Sequence, residues 1–128
     1  MRCDAINAAL EGIDPAQVRL HLCWGSWHGP HTTDIPLREI VDNVLTVNAK
    51  YLSLDLPKDR VLIPGVVGHS TNVVEHPELV AQRIGRFVQI VGADRVIAST
   101  DCGLGGRIHP SLAWAKLNSL AQGARLVD

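Results

Sequence analysis

At 128 residues with 46% hydrophobic side chains, the chain can bury a core and is about the size of one ordinary domain. Its formal net charge of -1, from 12 dispersed Lys and Arg against 13 Asp and Glu, gives no basic footprint and argues against nucleic acid as a partner. No segment is apolar enough to span a bilayer, and Met1-Arg2-Cys3-Asp4-Ala5 leads into a polar-flanked helical stretch without a secretory h-region, so a cytoplasmic protein with no membrane partner is expected. Three cysteines in a reducing compartment read as thiols or metal ligands rather than bridges, with Cys3 as the bystander.

In chain order, Ala5 to Leu10 reads as the end of a helix closed by Gly12, and Asp14-Pro15 turns the chain into a strand over Val18 to Trp24. The two-residue period of that strand puts His21 and Cys23 on one face and Leu20 and Leu22 on the other. A loop rich in Gly, Pro, His and Thr follows from Gly25 to Pro36, and then Leu37, Ile40, Val41, Val44 and Leu45 recur at helical spacing. Tyr51 to Asp55 and Val61 to Val67 read as strands separated by a polar turn at Pro57 to Arg60, too short for a helix. His76-Pro77-Glu78 opens a helix with an apolar stripe of Val80, Ile84, Phe87, Val88 and Val91, and Gly92 stops it. Arg95 to Thr100 is the last strand and Gly103 to Gly106 a loop. Pro110 to Leu126 is a final helix expected to turn Trp114, Leu117, Leu120 and Ala121 inward.

Strands separated by helices point to an α/β fold with a parallel sheet, in which working residues gather at the carboxyl ends of the strands. The chemistry-bearing side chains obey that rule: His21 with Cys23, Asp55, His69, and Asp101 with Cys102 each fall at or just past a strand end. His21, Cys23 and Cys102 form a candidate zinc site of one imidazole and two thiolates. Such a site leaves a position open for a substrate thiol, whose pKa the cation lowers. Asp101, beside Cys102, is placed to orient a ligand or a second reactant. Each residue also has a plainer reading: a strand cysteine is usually a small hydrophobe, and a strand-end histidine a hydrogen-bonded structural residue. His28 and His31 lie in a Gly/Pro loop and read as solvent-facing, with either one available as a spare ligand. Asn72, Glu75 and His76 read first as caps of the following helix. Gly103-Leu104-Gly105-Gly106 lacks the spacing of a dinucleotide fingerprint, and Trp24, Trp27 and Trp114 read as packing residues.

The runs HLCWGSWHGPHTTDIPL, VLIPGVVGHSTNVVEHPELVAQRI and STDCGLGGRIHPSLAWAKL resemble the C-terminal part of the cobalamin-independent methionine synthase family. They are most similar to its shorter, single-barrel branch, which includes the epoxyalkane:coenzyme M transferases. The resemblance covers nearly the whole chain, with HxC and DCG in the family order. It implies the C-terminal half of a TIM (β/α)8 barrel, about four parallel strands with flanking helices, forming one partial domain over residues 1–128. It further implies zinc as cofactor, with His21, Cys23 and Cys102 as ligands and Asp55 where the family carries a Glu ligand. Asp55 is one methylene shorter, and the charged family segment beyond it is missing here. His69, in Gly68-His69-Ser70, matches a family histidine placed to protonate a leaving group.

Three functions remain open at this level. The first is a zinc-dependent methyl- or alkyltransferase for methionine biosynthesis or related chemistry, acting on homocysteine, coenzyme M or a similar thiol with an alkyl donor such as a methylated folate. It would be completed by self-association or by a complementing N-terminal half-barrel, because a four-stranded half leaves an open sheet edge. The second is a non-catalytic zinc-binding fragment of such an enzyme. The third is a metal-free α/β enzyme with Cys23 or Cys102 as nucleophile beside His21.

Overall fold

The computed structural model describes residues 2–25, 31–52 and 60–127. The backbone groups into two compact units, Met1–Leu62 and Ile63–Asp128. Four strands among the described residues form two parallel pairs, one in each unit. The expected α/β character with parallel pairing is observed, on strands of only two or three residues. No described helix is long and apolar enough to cross a membrane.

In the first unit, α1 (Arg2–Ala9) ends ahead of Gly12, whose φ of 80° takes the left-handed turn that favours glycine. Asp14 caps a single 3-10 turn at Pro15–Gln17, its carboxylate accepting from the Ala16 N–H at 2.9 Å. The helical spacing after Pro36 yields a 3-10 turn, Leu37–Glu39, and one short helix, α2 (Val41–Leu45). β1 (Tyr51–Leu52) pairs with β2 (Val61–Leu62) in parallel, with Tyr51 opposite Val61. Arg60 braces the approach to β1 by donating to the carbonyls of Val47, at 2.9 Å, and Ala49. Val47 and Ala49 are the buried centre, covered by Cys3, Leu10, Val18, Leu20 and Leu45.

The run Val18 to Trp24 is not a ladder strand. It makes one isolated bridge, at Arg19. Even so, its burial alternates residue by residue: Val18, Leu20, Leu22 and Trp24 are half-buried, while Arg19, His21 and Cys23 are exposed. Val18 and Leu20 therefore hold the run extended through side-chain packing, without a full set of backbone pairs.

In the second unit, β3 (Gly65–Val67) pairs in parallel with β4 (Ser99–Thr100), and Asp101 N–H continues the pairing to the Val67 carbonyl at 3.0 Å. The single strand expected over Val61 to Val67 is broken at Ile63-Pro64. Pro64 has no N–H for a ladder, although its carbonyl accepts from the Ser99 N–H at 3.1 Å. Gly65 is required by close approach: a Cβ there would lie 2.4 Å from the Asp101 Cα. α3 (Pro77–Val91) starts and stops where expected. The His76 ring accepts from the Glu78 N–H, Pro77 opens the first turn, and Gly92 (φ 88°) donates to the Val88 carbonyl at 2.9 Å. Val80 and Ile84 bury against Val66 and Val67, with Phe87, Val88, Val96, Ala98, Leu120 and Val127 around them. Each such side chain contributes about 1.5–3 kcal/mol when fully buried.

α4 (Pro110–Arg125) corrects the expected inward face. Trp114 is 72% exposed, Leu117 and Ala121 also face solvent, and of the four residues expected inside only Leu120 packs on the core. The buried residues are Lys116, Ser119 and Gly123. Gly123 lets α4 approach α3, since a Cβ there would sit 2.6 Å from the Val80 Cβ, and Lys116 and Ser119 are bonded to the α3 approach. Polar pairing, not apolar periodicity, sets the rotation of this helix.

Candidate functional site

Two groups of reactive side chains emerge, one in each unit. On the exposed face of the Val18 to Trp24 run, a ring nitrogen of His21 and the Cys23 sulfur lie within 4.8 Å of each other. The Cys23 Sγ accepts from the Gly25 N–H at 3.3 Å, and Gly25 takes a φ of 102° that turns the backbone past the sulfur. Trp24, on the opposite face, anchors the run by donating its indole N–H to the Ile35 carbonyl at 2.7 Å. A borderline-soft imidazole and a thiol, adjacent and open to solvent, are the donor chemistry zinc prefers, so this pair fits two positions of a zinc site. Asp55 and His28 lie outside the described residues. His31 contacts Asp34 at 2.7 Å, which gives its ring a partner of its own.

In the second unit, β3 and β4 bring His69 and Asp101 together. The Asp101 Oδ1 accepts both the His69 backbone N–H, at 2.8 Å, and the His69 Nδ1, at 2.7 Å. A carboxylate can only accept, so Nδ1 carries the proton and the second ring nitrogen is left for other work. That nitrogen, Nε2, is buried and has no hydrogen-bond partner among the described residues. Buried polar atoms are nearly always paired, which marks an unpaired one as a place where a ligand atom can bind. Cys102, half-buried, follows directly on Asp101, and its carbonyl accepts from the Thr100 hydroxyl at 2.9 Å.

Glu75 is the residue that sequence reading undervalued. It does not cap α3; that role falls to His76 alone of the three candidates. Its Oε1 accepts from the Gly68 N–H at 2.7 Å and lies 3.6 Å from Arg83, while its Oε2 pairs with the fully buried Lys116 at 3.1 Å. Ser119 donates to the Glu75 carbonyl and Lys116 to the Val73 carbonyl. Burial pushes the Glu75 carboxyl up, but the Gly68 N–H, its own backbone and the Lys116 ammonium outweigh that and hold it below its ordinary value. An apolar-looking helix start followed by a lysine inside a later helix carries no local signal of this pairing.

No family model matches the chain. The chain is 28% identical to the 2-hydroxypropyl-CoM lyase of Xanthobacter autotrophicus, over 97% of this chain and 44% of that protein. It is 31% identical to a methionine synthase of Saccharolobus solfataricus, over 97% of this chain and 38% of that protein. The fold matches a B12-independent methionine synthase from Shewanella sp. W3-18-1, solved in complex with selenomethionine, with a TM-score of 0.76, 22% identity, and coverage of 97% of this chain and 42% of that one. The chain thus spans about two fifths of the length of the relatives it matches. The alignment with the lyase runs over 166 positions, more than the 128 residues present here, so the lyase carries sequence this chain lacks.

Proposed function

We propose that this chain, similar over 97% of its length to a methionine synthase and to 2-hydroxypropyl-CoM lyase, is the ligand-bearing half of a (β/α)8 barrel that transfers an alkyl group to a thiol. The observation that carries the reading is the exposed His21–Cys23 pair, a nitrogen and a sulfur within 4.8 Å, in a chain that matches these relatives over 97% of its length. In this reading His21, Cys23 and Cys102 hold one zinc ion, with Asp55 as the oxygen donor. Bound there, zinc would supply a lowered pKa to a substrate thiol such as homocysteine or coenzyme M, so that it would react as a thiolate at neutral pH.

The remaining work falls to the second unit. Asp101 fixes the tautomer and orientation of His69 through Nδ1–H. When the imidazole is doubly protonated, its second proton sits on the unpartnered Nε2, from which it can pass to the leaving group as the new sulfur–carbon bond forms and the donor's bond breaks. The donor is an alkyl compound whose leaving group needs that proton, a methylated folate among them. The strands that close the barrel come from outside these 128 residues, supplied by self-association or by an N-terminal half.

Metal analysis of protein purified without added zinc tests the reading, with native mass recorded alongside. About one zinc per chain, lost in both Cys23→Ala and Cys102→Ala, is the expected result. His69→Ala should keep its zinc and lose turnover by roughly 10²–10⁴-fold, the usual range for a general acid or base. The absence of zinc from the folded protein would overturn the reading. A second reading, a zinc-binding fragment without turnover, is favoured by the sequence that the lyase has and this chain lacks. It predicts zinc with no alkyl transfer even when an N-terminal half is supplied.

A further inference from the structure

His69 is held from two sides, and only one of them is Asp101. The residue before it, Gly68, donates its N–H to the Glu75 Oε1 at 2.7 Å. Glu75 is in turn pinned from α4 at both ends: Lys116 meets its side chain at 3.1 Å and Ser119 donates to its carbonyl. Lys116 also donates to the Val73 carbonyl, so a helix more than forty residues downstream grips the 68–75 segment at successive points. A Cβ at position 68 would be in ordinary contact, 3.4 Å from the same Glu75 oxygen, so the backbone N–H and not a missing side chain sets this approach.

A buried ion pair is poor evidence of a stability device, because apolar residues of similar volume often do as well. Lys116 is fully buried and Glu75 nearly so, with Glu75 bordering an open pocket beside Ala115 and Ser119 while its carboxylate turns to Gly68 and Lys116. What the pair does specify is the place of the Gly68 N–H, and with it the direction of the His69 ring. We infer that the Lys116–Glu75 pair is a positioning device for His69, transmitted through the Gly68 N–H, that keeps the unpartnered Nε2 aimed at a reactant. This rests on the reading above that His69 handles a proton.

Two double variants separate positioning from charge burial. Glu75→Gln with Lys116→Met removes both charges but keeps a side-chain oxygen for Gly68. Glu75→Ala with Lys116→Met removes both charges and the acceptor. Neither leaves a lone buried ion, and thermal unfolding verifies that each is folded. The readout is the His69 Nδ1–H proton in NMR of the otherwise unaltered chain, assigned with His69→Gln. A buried N–H held by a carboxylate exchanges slowly, and loosening the ring speeds that exchange.

The Gln/Met variant should keep the wild-type signal, whereas in the Ala/Met variant exchange should accelerate on the order of tenfold, the scale of one weakened hydrogen bond. If the Ala/Met variant does not fold, Glu75→Asp, whose carboxylate stops one methylene short of Gly68, should show the same acceleration. A wild-type signal in the folded variant that lacks the acceptor would overturn the inference, as would equal loss in both double variants. A wild-type protein with no protected His69 proton would overturn the His69–Asp101 pairing itself, and so is distinguishable from failure of the inference alone.

Discussion

The two histidine sites are built in opposite ways. His21 and Cys23 stand on the open face of a run that pairs at a single bridge and is held by the packing of Val18 and Leu20 behind it. His69 is buried, tied to Asp101 by two hydrogen bonds and to α4 through Gly68 and Glu75. A metal ligand must be reachable and able to adjust to an ion. A proton-handling group must be fixed before the reactant arrives. With the proposed roles, the first unit would carry function with little stake in stability, and the second would make the two inseparable.

The sharpest break in that contrast comes from stranding the buried lysine. Glu75→Ala should destabilise the second unit by about 3–5 kcal/mol, the cost of an uncompensated buried charge, as measured by denaturant unfolding. The same substitution combined with Lys116→Met should cost less than Glu75→Ala alone. Gly65→Ala, whose Cβ would meet the Asp101 backbone, should cost about 1–3 kcal/mol by overpacking and should weaken the His69–Asp101 contact seen by NMR.

Acid should act in the same direction. The folded Glu75 carboxyl lies below its ordinary value, so its contribution is present above the unfolded value and fades as pH falls toward the folded one. Melting temperature followed through the acid range should thus drop more steeply in the wild type than in Glu75→Gln. The smallest effect belongs to the first unit: Cys23→Ala and His21→Ala should each change unfolding free energy by no more than about 0.5 kcal/mol without metal, as exposed substitutions do. A loss of several kcal/mol there would erase the contrast.

Much of this organisation is legible along the chain. His76-Pro77 and Gly92 bracket α3, Gly12 follows α1, and the period-two alternation that sets His21 beside Cys23 survives although the run is no ladder strand. These are short-range signals, set by turn chemistry and by which side of the backbone each Cβ leaves. The misreadings come from pairings between distant residues. Periodicity assigned Trp114 and Leu117 to the interior of α4, but Lys116 meets its partner 41 positions away and turns the helix about. The same distance hid Glu75, which looks like one more polar residue before a helix. Pro64 was visible in the sequence, and its missing N–H accounts for the break between β2 and β3.

The Glu75–Lys116 pair also has a consequence for how this sequence can drift over generations. Losing Glu75 first leaves Lys116 buried without its counterion, and losing Lys116 first leaves Glu75 with only the partly exposed Arg83 at 3.6 Å, so single substitutions at these positions pass through a less stable protein. Lineages descended from this chain should either keep both residues or exchange both together for a neutral couple whose member at position 75 still offers an acceptor to the Gly68 N–H.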